Sequence, residues 1–165
     1  MKRLGILTAA IFLSGCVGAP YVFQNHFDSA DFEPWNGSGS ATLSGQAFLK
    51  TVGGDVKTCA GAEVDLLPAT AYNEEVVSAV RHAQLNMPTR SSGPDAFMRK
   101  ATCDAQGNFT FENLPALKWI VWTTVRWGVP RQYSVDEQGG NLIKEIVLQS
   151  GPNRIILADP DLTFG

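Results

Sequence analysis

From Ser40 onward, hydrophobic and polar residues alternate in short runs separated by turn-forming residues, the pattern of an all-β sandwich. Residues 41–50 predict a first strand, with Leu43, Gly45, Ala47 and Leu49 on one face and Phe48 out of phase with them. Gly53-Gly54-Asp55 predicts a turn. Residues 63–68 set Val64 and Leu66 inward against Glu63 and Asp65 outward. Phe109-Thr110-Phe111 alternates cleanly, residues 118–127 carry the longest strand signal, and residues 142–148 and 154–158 close the series. Such strands bury one face, so Val64, Leu66, Phe109, Phe111, Trp119, Val121 and Val125 form the expected core.

Two stretches break this pattern. Residues 72–85 place Val76, Val77 and Val80 at helical spacing behind Glu74 and Glu75, which predicts a short amphipathic helix stopped before Pro88. Residues 86–96 are rich in Pro, Gly, Ser and Thr and read as a loop, so a helix plus a loop is inserted between strands. Residues 17–39 show neither period: Tyr21, Phe23, Phe27, Phe32 and Trp35 stand among Asn, Asp, Pro and Gly. They read as a tether over 16–39, with packing on the domain surface and free movement both open.

Composition narrows the function. The chain has 165 residues, the size of one domain, and is 44% hydrophobic and 18% charged, which argues against wholesale disorder. Thirteen Lys and Arg against 16 Asp and Glu give a net charge of −3, so no broad cationic surface for nucleic acid is expected. Two histidines and three cysteines leave little material for a metal centre, and neither a metal nor a cofactor is expected.

The first residues bear on the compartment. Lys2 and Arg3 precede an uncharged apolar stretch over 4–13. About ten such residues are too few to cross a ~30 Å hydrocarbon core, but they suit a cleavable signal peptide over 1–15. The stretch ends in Leu13-Ser14-Gly15-Cys16, which resembles the bacterial lipobox. That resemblance implies acylation of Cys16, and Val17 in place of Asp after it implies the outer membrane. The membrane is then reached through lipid rather than charge, because losing Lys2 and Arg3 leaves a more acidic body. Cys59 and Cys103 remain, an even pair in an oxidising envelope, and a bridge between them would close about 45 residues, worth about 4 kcal/mol in the chain-entropy model. Two free buried thiols are the alternative. There is no C-x-x-C pattern of a redox-active dithiol.

Catalytic chemistry finds little support. His26 lies in the tether and His82 on the predicted helix, each without a second histidine or a suitably spaced acid. Ser91-Ser92-Gly93 is no nucleophile elbow, and Gly53-Gly54 and Gly139-Gly140 read as hairpin glycines. No catalytic residue is expected and the chain is read as a non-enzyme. On the 118–127 strand, Ile120, Trp122 and Arg126 face away from the predicted core. Trp beside Arg on a sheet face suits sugar stacking or a protein partner, unless the 72–96 insertion covers that face.

Residues Asp104-Ala-Gln-Gly107-Asn-Phe109-Thr-Phe111-Glu-Asn-Leu114-Pro115 resemble the D-x-x-G-x-F-x-F-x-x-[LV]-P signature of carboxypeptidase regulatory-like domains, which are prealbumin-like (transthyretin-like) antiparallel β-sandwiches. Leu43-Ser44-Gly45-Gln46-Ala47 and Val64-Asp65-Leu66-Leu67-Pro68 are similar to the family's first two strands, so the resemblance covers residues 40–158 and leaves 159–165 as a tail. In physical terms, Asp104 and Gly107 make a tight turn and Phe109 and Phe111 plug the core. The family has Gly after Pro-Ala where this chain has Leu117, so the hairpin there needs another turn or a bulge. Together these readings predict a lipid-anchored envelope protein with a structural or binding role. The alternatives are an accessory subunit of an envelope machine, similar to the transthyretin-like lipoprotein of type VI secretion, and a carbohydrate- or peptidoglycan-binding module.

Overall fold

The computed structural model describes residues 21–82 and 93–163. The predicted signal segment, Cys16 and most of the 86–96 loop lie outside the described residues. Nine strands and a few short helices follow one another as α1 (Glu33–Asn36), β1 (Ala41–Lys50), β2 (Val56–Thr58), β3 (Glu63–Pro68), α2 (Ala71–Arg81), β4 (Arg99–Thr102), β5 (Asn108–Leu114), β6 (Lys118–Pro130), β7 (Val135–Val147), β8 (Gly151–Leu157) and β9 (Leu162–Thr163).

They form two sheets. In the first, β1 is central, antiparallel to β5 and β2 and parallel to β8. The second runs β4-β3-β6-β7-β9, all antiparallel. The fold is an all-β sandwich. Its core takes alternate residues from each strand, as the period of two requires: Leu43, Ala47 and Leu49 of β1 meet Val64 and Leu66 of β3 and Trp119, Val121 and Val125 of β6. Every residue of the expected core is buried. Cys59, just past β2, is bonded to Cys103, just past β4, with their Cα atoms 5.8 Å apart, so the bridge staples one sheet to the other. A structural disulfide of this kind belongs to an oxidising, non-cytoplasmic compartment.

The signature turn forms as expected. Asp104 Oδ1 accepts the backbone N–H groups of Gln106 and Asn108, each at 2.8 Å, and Gly107 sits at φ 79°. These bonds favour the ionised form, and the Asn108 side chain is the first of several donors that hold the Asp104 carboxyl below the usual carboxylate range. The hairpin expected around 115–119 does not form: β5 and β6 lie in different sheets, and residues 115–117 cross between them, with the Leu117 N–H donating to the Pro115 carbonyl at 2.9 Å. Earlier, at the end of β5, Asn113 takes φ 56° and the β1–β5 register breaks between Ala41 and Leu43. Trp119 then donates its indole N–H to the Pro115 carbonyl at 3.0 Å.

Several features differ from the sequence pattern. Residues 159–163, read as part of a tail, instead turn back and add β9 to the second sheet, Leu162 and Thr163 pairing with Leu142 and Asn141. β2 and β4 are edge strands of three and four residues, too short to show a period. β6 and β7 are longer than predicted, pairing from Lys118↔Val147 to Pro130↔Val135. The turn therefore falls at 131–134, and Gly139 and Gly140 lie inside β7 opposite Arg126 and Val125, not in a hairpin turn.

Candidate functional site

The Ile120, Trp122 and Arg126 face is not an open surface. Ile120 is 0% exposed, buried with Leu67, Ile143 and Val77 beneath α2. Trp122 is half-buried against the same cluster. Arg126 lies beyond the helix, exposed and paired with Glu137 at 3.4 Å. The correction has a simple cause. One face of β6 packs Trp119, Val121 and Val125 into the core between the sheets. The other sets Ile120 and Trp122 beside Leu67 and Ile143, and the amphipathic α2 buries that second apolar face. Thr70 starts that helix by accepting the Asn73 backbone N–H at 3.3 Å. Lys118 then ties it down, its ammonium bonded to Glu145 at 2.8 Å and Glu74 at 2.7 Å.

Residues 21–36 are packed rather than free. The Glu75 carboxylate on α2 accepts the Gln24 and Asn25 backbone N–H groups at 2.8 and 2.7 Å, the Asn25 side chain and the Tyr21 hydroxyl. Phe23, Phe27 and Phe97 gather around buried Phe32 and Tyr72. Trp35 donates to the Lys118 carbonyl at 2.8 Å, and Arg99 reaches the α1 carbonyl of Asn36 at 3.1 Å. His26 and His82 are both exposed, the latter with Nδ1 2.7 Å from the Ser78 carbonyl, and they are far apart in the chain with no shared partner.

An open face does exist on the first sheet. A shallow groove of about 750 Å³ is lined by residues 44–46 of β1, 108–110 of β5, 154–156 of β8 and 144–146 of β7. Because β7 belongs to the second sheet and its Ile146 packs on the core, this groove opens between the two sheets at the β8 edge, with Phe109 and Ile155 on its inner side. The alternate, outward residues of β1, β5 and β8 form a separate face on the other side of the first sheet. Register places those in rows. Ser44 pairs with Thr110 on one side and Arg154 on the other. Gln46 pairs in the same way with Asn108 and Ile156. Two residues further along β1, Phe48 stands half-buried on the same face, opposite Thr58 of β2.

Among the described residues the side chains of Ser44, Thr110 and Arg154 have no hydrogen-bonding or ionic partner. Gln46 donates its amide to the Gln106 carbonyl at 2.9 Å, which leaves its carbonyl oxygen free to accept. Ile156 is 57% exposed beside them. At the β8 edge Lys144 is already engaged, with the Ile156 carbonyl at 3.2 Å and Asp161 at 3.1 Å, and it separates the groove from a second one of about 370 Å³. The face thus offers two hydroxyls, a guanidinium and an amide oxygen beside apolar surface, an arrangement that hydrogen-bonds a polar ligand and supports its apolar edges. Sequence reasoning passed over it, although Phe48 breaking the alternation of β1 was its one visible sign.

No family model matches the chain, and no curated protein matches it. Among solved structures it is similar to a Pseudomonas aeruginosa protein provisionally described as carbohydrate binding. The two share 20% sequence identity over 82% of this chain and 99% of that one, with a TM-score of 0.71, which is a likeness of fold.

Proposed function

We propose that this chain is a lipid-anchored, non-catalytic protein of the bacterial cell envelope, a carboxypeptidase regulatory-like sandwich that binds a glycan on the outward face of β5, β1 and β8. The observation that carries the reading is the row Thr110–Ser44–Arg154, aligned by register, partnerless among the described residues and set beside exposed Ile156. Sugars are bound through hydroxyl, amide and guanidinium groups together with apolar contact to their C–H faces, and this face has each of these. The provisional carbohydrate-binding description of the Pseudomonas aeruginosa protein supports the same ligand class. The disulfide and the lipobox-like Leu13-Ser14-Gly15-Cys16 support the compartment and the anchor.

Two measurements test it. Cells fed a clickable fatty acid should label the wild-type chain and not Cys16→Ser; no label on the wild type removes the anchor. Full-length protein in detergent, passed over a glycan array, should retain polysaccharides that Ile156→Ser, at an exposed position of the same face, holds less tightly. An array with no retained glycan removes the binding role.

A further inference from the structure

We infer that this face takes a linear, carboxylate-bearing oligosaccharide laid along β1, with the carboxylate at Arg154. The inference rests on the glycan-binding reading and specifies its ligand. Three observations carry it.

The first is length. The outward residues of β1 are Thr42, Ser44, Gln46, Phe48 and the terminal Lys50, and at about 3.4 Å per residue the stretch from Thr42 to Phe48 runs for about 20 Å. That is a strip for several sugar units in line, far longer than one sugar ring.

The second is polarity along the strip. Phe48 lies toward one end, near the outward Ile156 and the exposed Val56 that pairs with Lys50. The Ser44 and Thr110 hydroxyls lie toward the other. A sugar chain can set an apolar ring face on Phe48 while its next units turn hydroxyls to Ser44, Thr110 and the Gln46 carbonyl.

The third is charge. The chain is acidic overall, yet Arg154 has no acid partner among the described residues. Lys144, the cation beside it, is consumed by Asp161. The acids bordering the face lie on the β5 side, across β1 from the β8 edge where Arg154 stands: Glu112 on β5, and Asp104, which accepts from the Asn108 side chain. Lys50 adds a second exposed cation at the Phe48 end. Beside the Ser44 and Thr110 hydroxyls the cation is therefore Arg154 at β8, and the acids lie on the β5 side. A guanidinium fork left open in this way matches the two oxygens of a carboxylate.

The test compares oligogalacturonate tetramer, the neutral β-1,4-glucose tetramer and monomeric galacturonate by calorimetric titration of the full chain in detergent. The acidic tetramer should bind about tenfold more tightly than either of the others, the weight of one charge-assisted bidentate contact, and the gap should narrow as salt is raised. Arg154→Gln, at an exposed edge-strand position, should bring the acidic tetramer down to the neutral one and leave the neutral one unchanged. Ile156→Ser should weaken both tetramers; it serves in place of Phe48→Ala, whose half-buried ring also affects folding. Equal affinities for the acidic and neutral tetramers, or a preference that survives Arg154→Gln, overturns the inference while leaving glycan binding in place. Failure of every saccharide to bind overturns the glycan reading as well.

Discussion

The ring of Phe109 fills the space where a side chain at Gly45 would stand: a β-carbon there would lie 2.2 Å from Phe109 Cζ and 2.8 Å from Ile155 Cγ2. These three residues form one row across β5, β1 and β8, directly beneath the outward groups of the candidate site. The glycine lets the largest side chain of the row lie flat in a closely packed interior. Gly45→Ala should therefore force Phe109 or Ile155 out of place and cost about 1–3 kcal/mol, read as a lower denaturant midpoint with an unchanged slope. A midpoint equal to the wild type would mean that the ring moves aside freely.

The Cys59–Cys103 bridge closes 44 residues and joins the two sheets. In the chain-entropy model such a loop contributes about 4 kcal/mol. Cys59→Ser should lower the melting temperature under oxidising conditions and melt with the wild type when reductant is present. Coincident melts without reductant would speak against the bridge.

Glu75 governs the packing of residues 21–25. Burial works to raise its pKa, but the backbone donors of Gln24 and Asn25 and the side chains of Tyr21 and Asn25 outweigh it and hold the group down at about 2. A depressed carboxylate pKa stabilises the folded arrangement above the ordinary value of 4.5, and that contribution fades as pH falls from 4.5 through about 2. Amide exchange at Gln24 and Asn25 should show constant protection at neutral pH and lose it across that acid window. Glu75→Gln should raise their exchange roughly tenfold at pH 7, from one or two net hydrogen bonds of about 1 kcal/mol each, with the β6 amides unchanged. No change at Gln24 and Asn25 would show that the aromatic cluster alone holds the segment.

Trp122 and Ile120 separate stability from binding. Ile120→Ala empties a site that is fully buried under α2 and should cost about 2–5 kcal/mol. Trp122→Ala should also lower the melting temperature, because the indole packs on the same cluster. Both variants should keep the glycan affinity of the wild type at temperatures where they are folded. A selective loss of affinity in Trp122→Ala would return the binding site to the second sheet.

Much of the architecture was legible along the chain because it is local. The period of two in Val64-Asp65-Leu66 and Phe109-Thr110-Phe111 assigns inner and outer residues before any partner strand is known. The Asp104–Gly107 turn is specified by its own side chains. Two cysteines left in an oxidising setting point to each other by parity.

Other features needed the folded molecule. Alternation states that Ile120 and Trp122 share a face, but not that a helix formed 40 residues earlier in the chain will lie on it. The aromatic residues of 21–36 have no period, since they fit a surface assembled from α2 and residues 93–97. The candidate site is the least local of all. Ser44 meets Arg154 only because β8 returns parallel to β1 in one particular register, across more than a hundred residues. A strand's own sequence sets which side chains point together; what covers them, and which distant side chains stand alongside, is decided by packing between sheets.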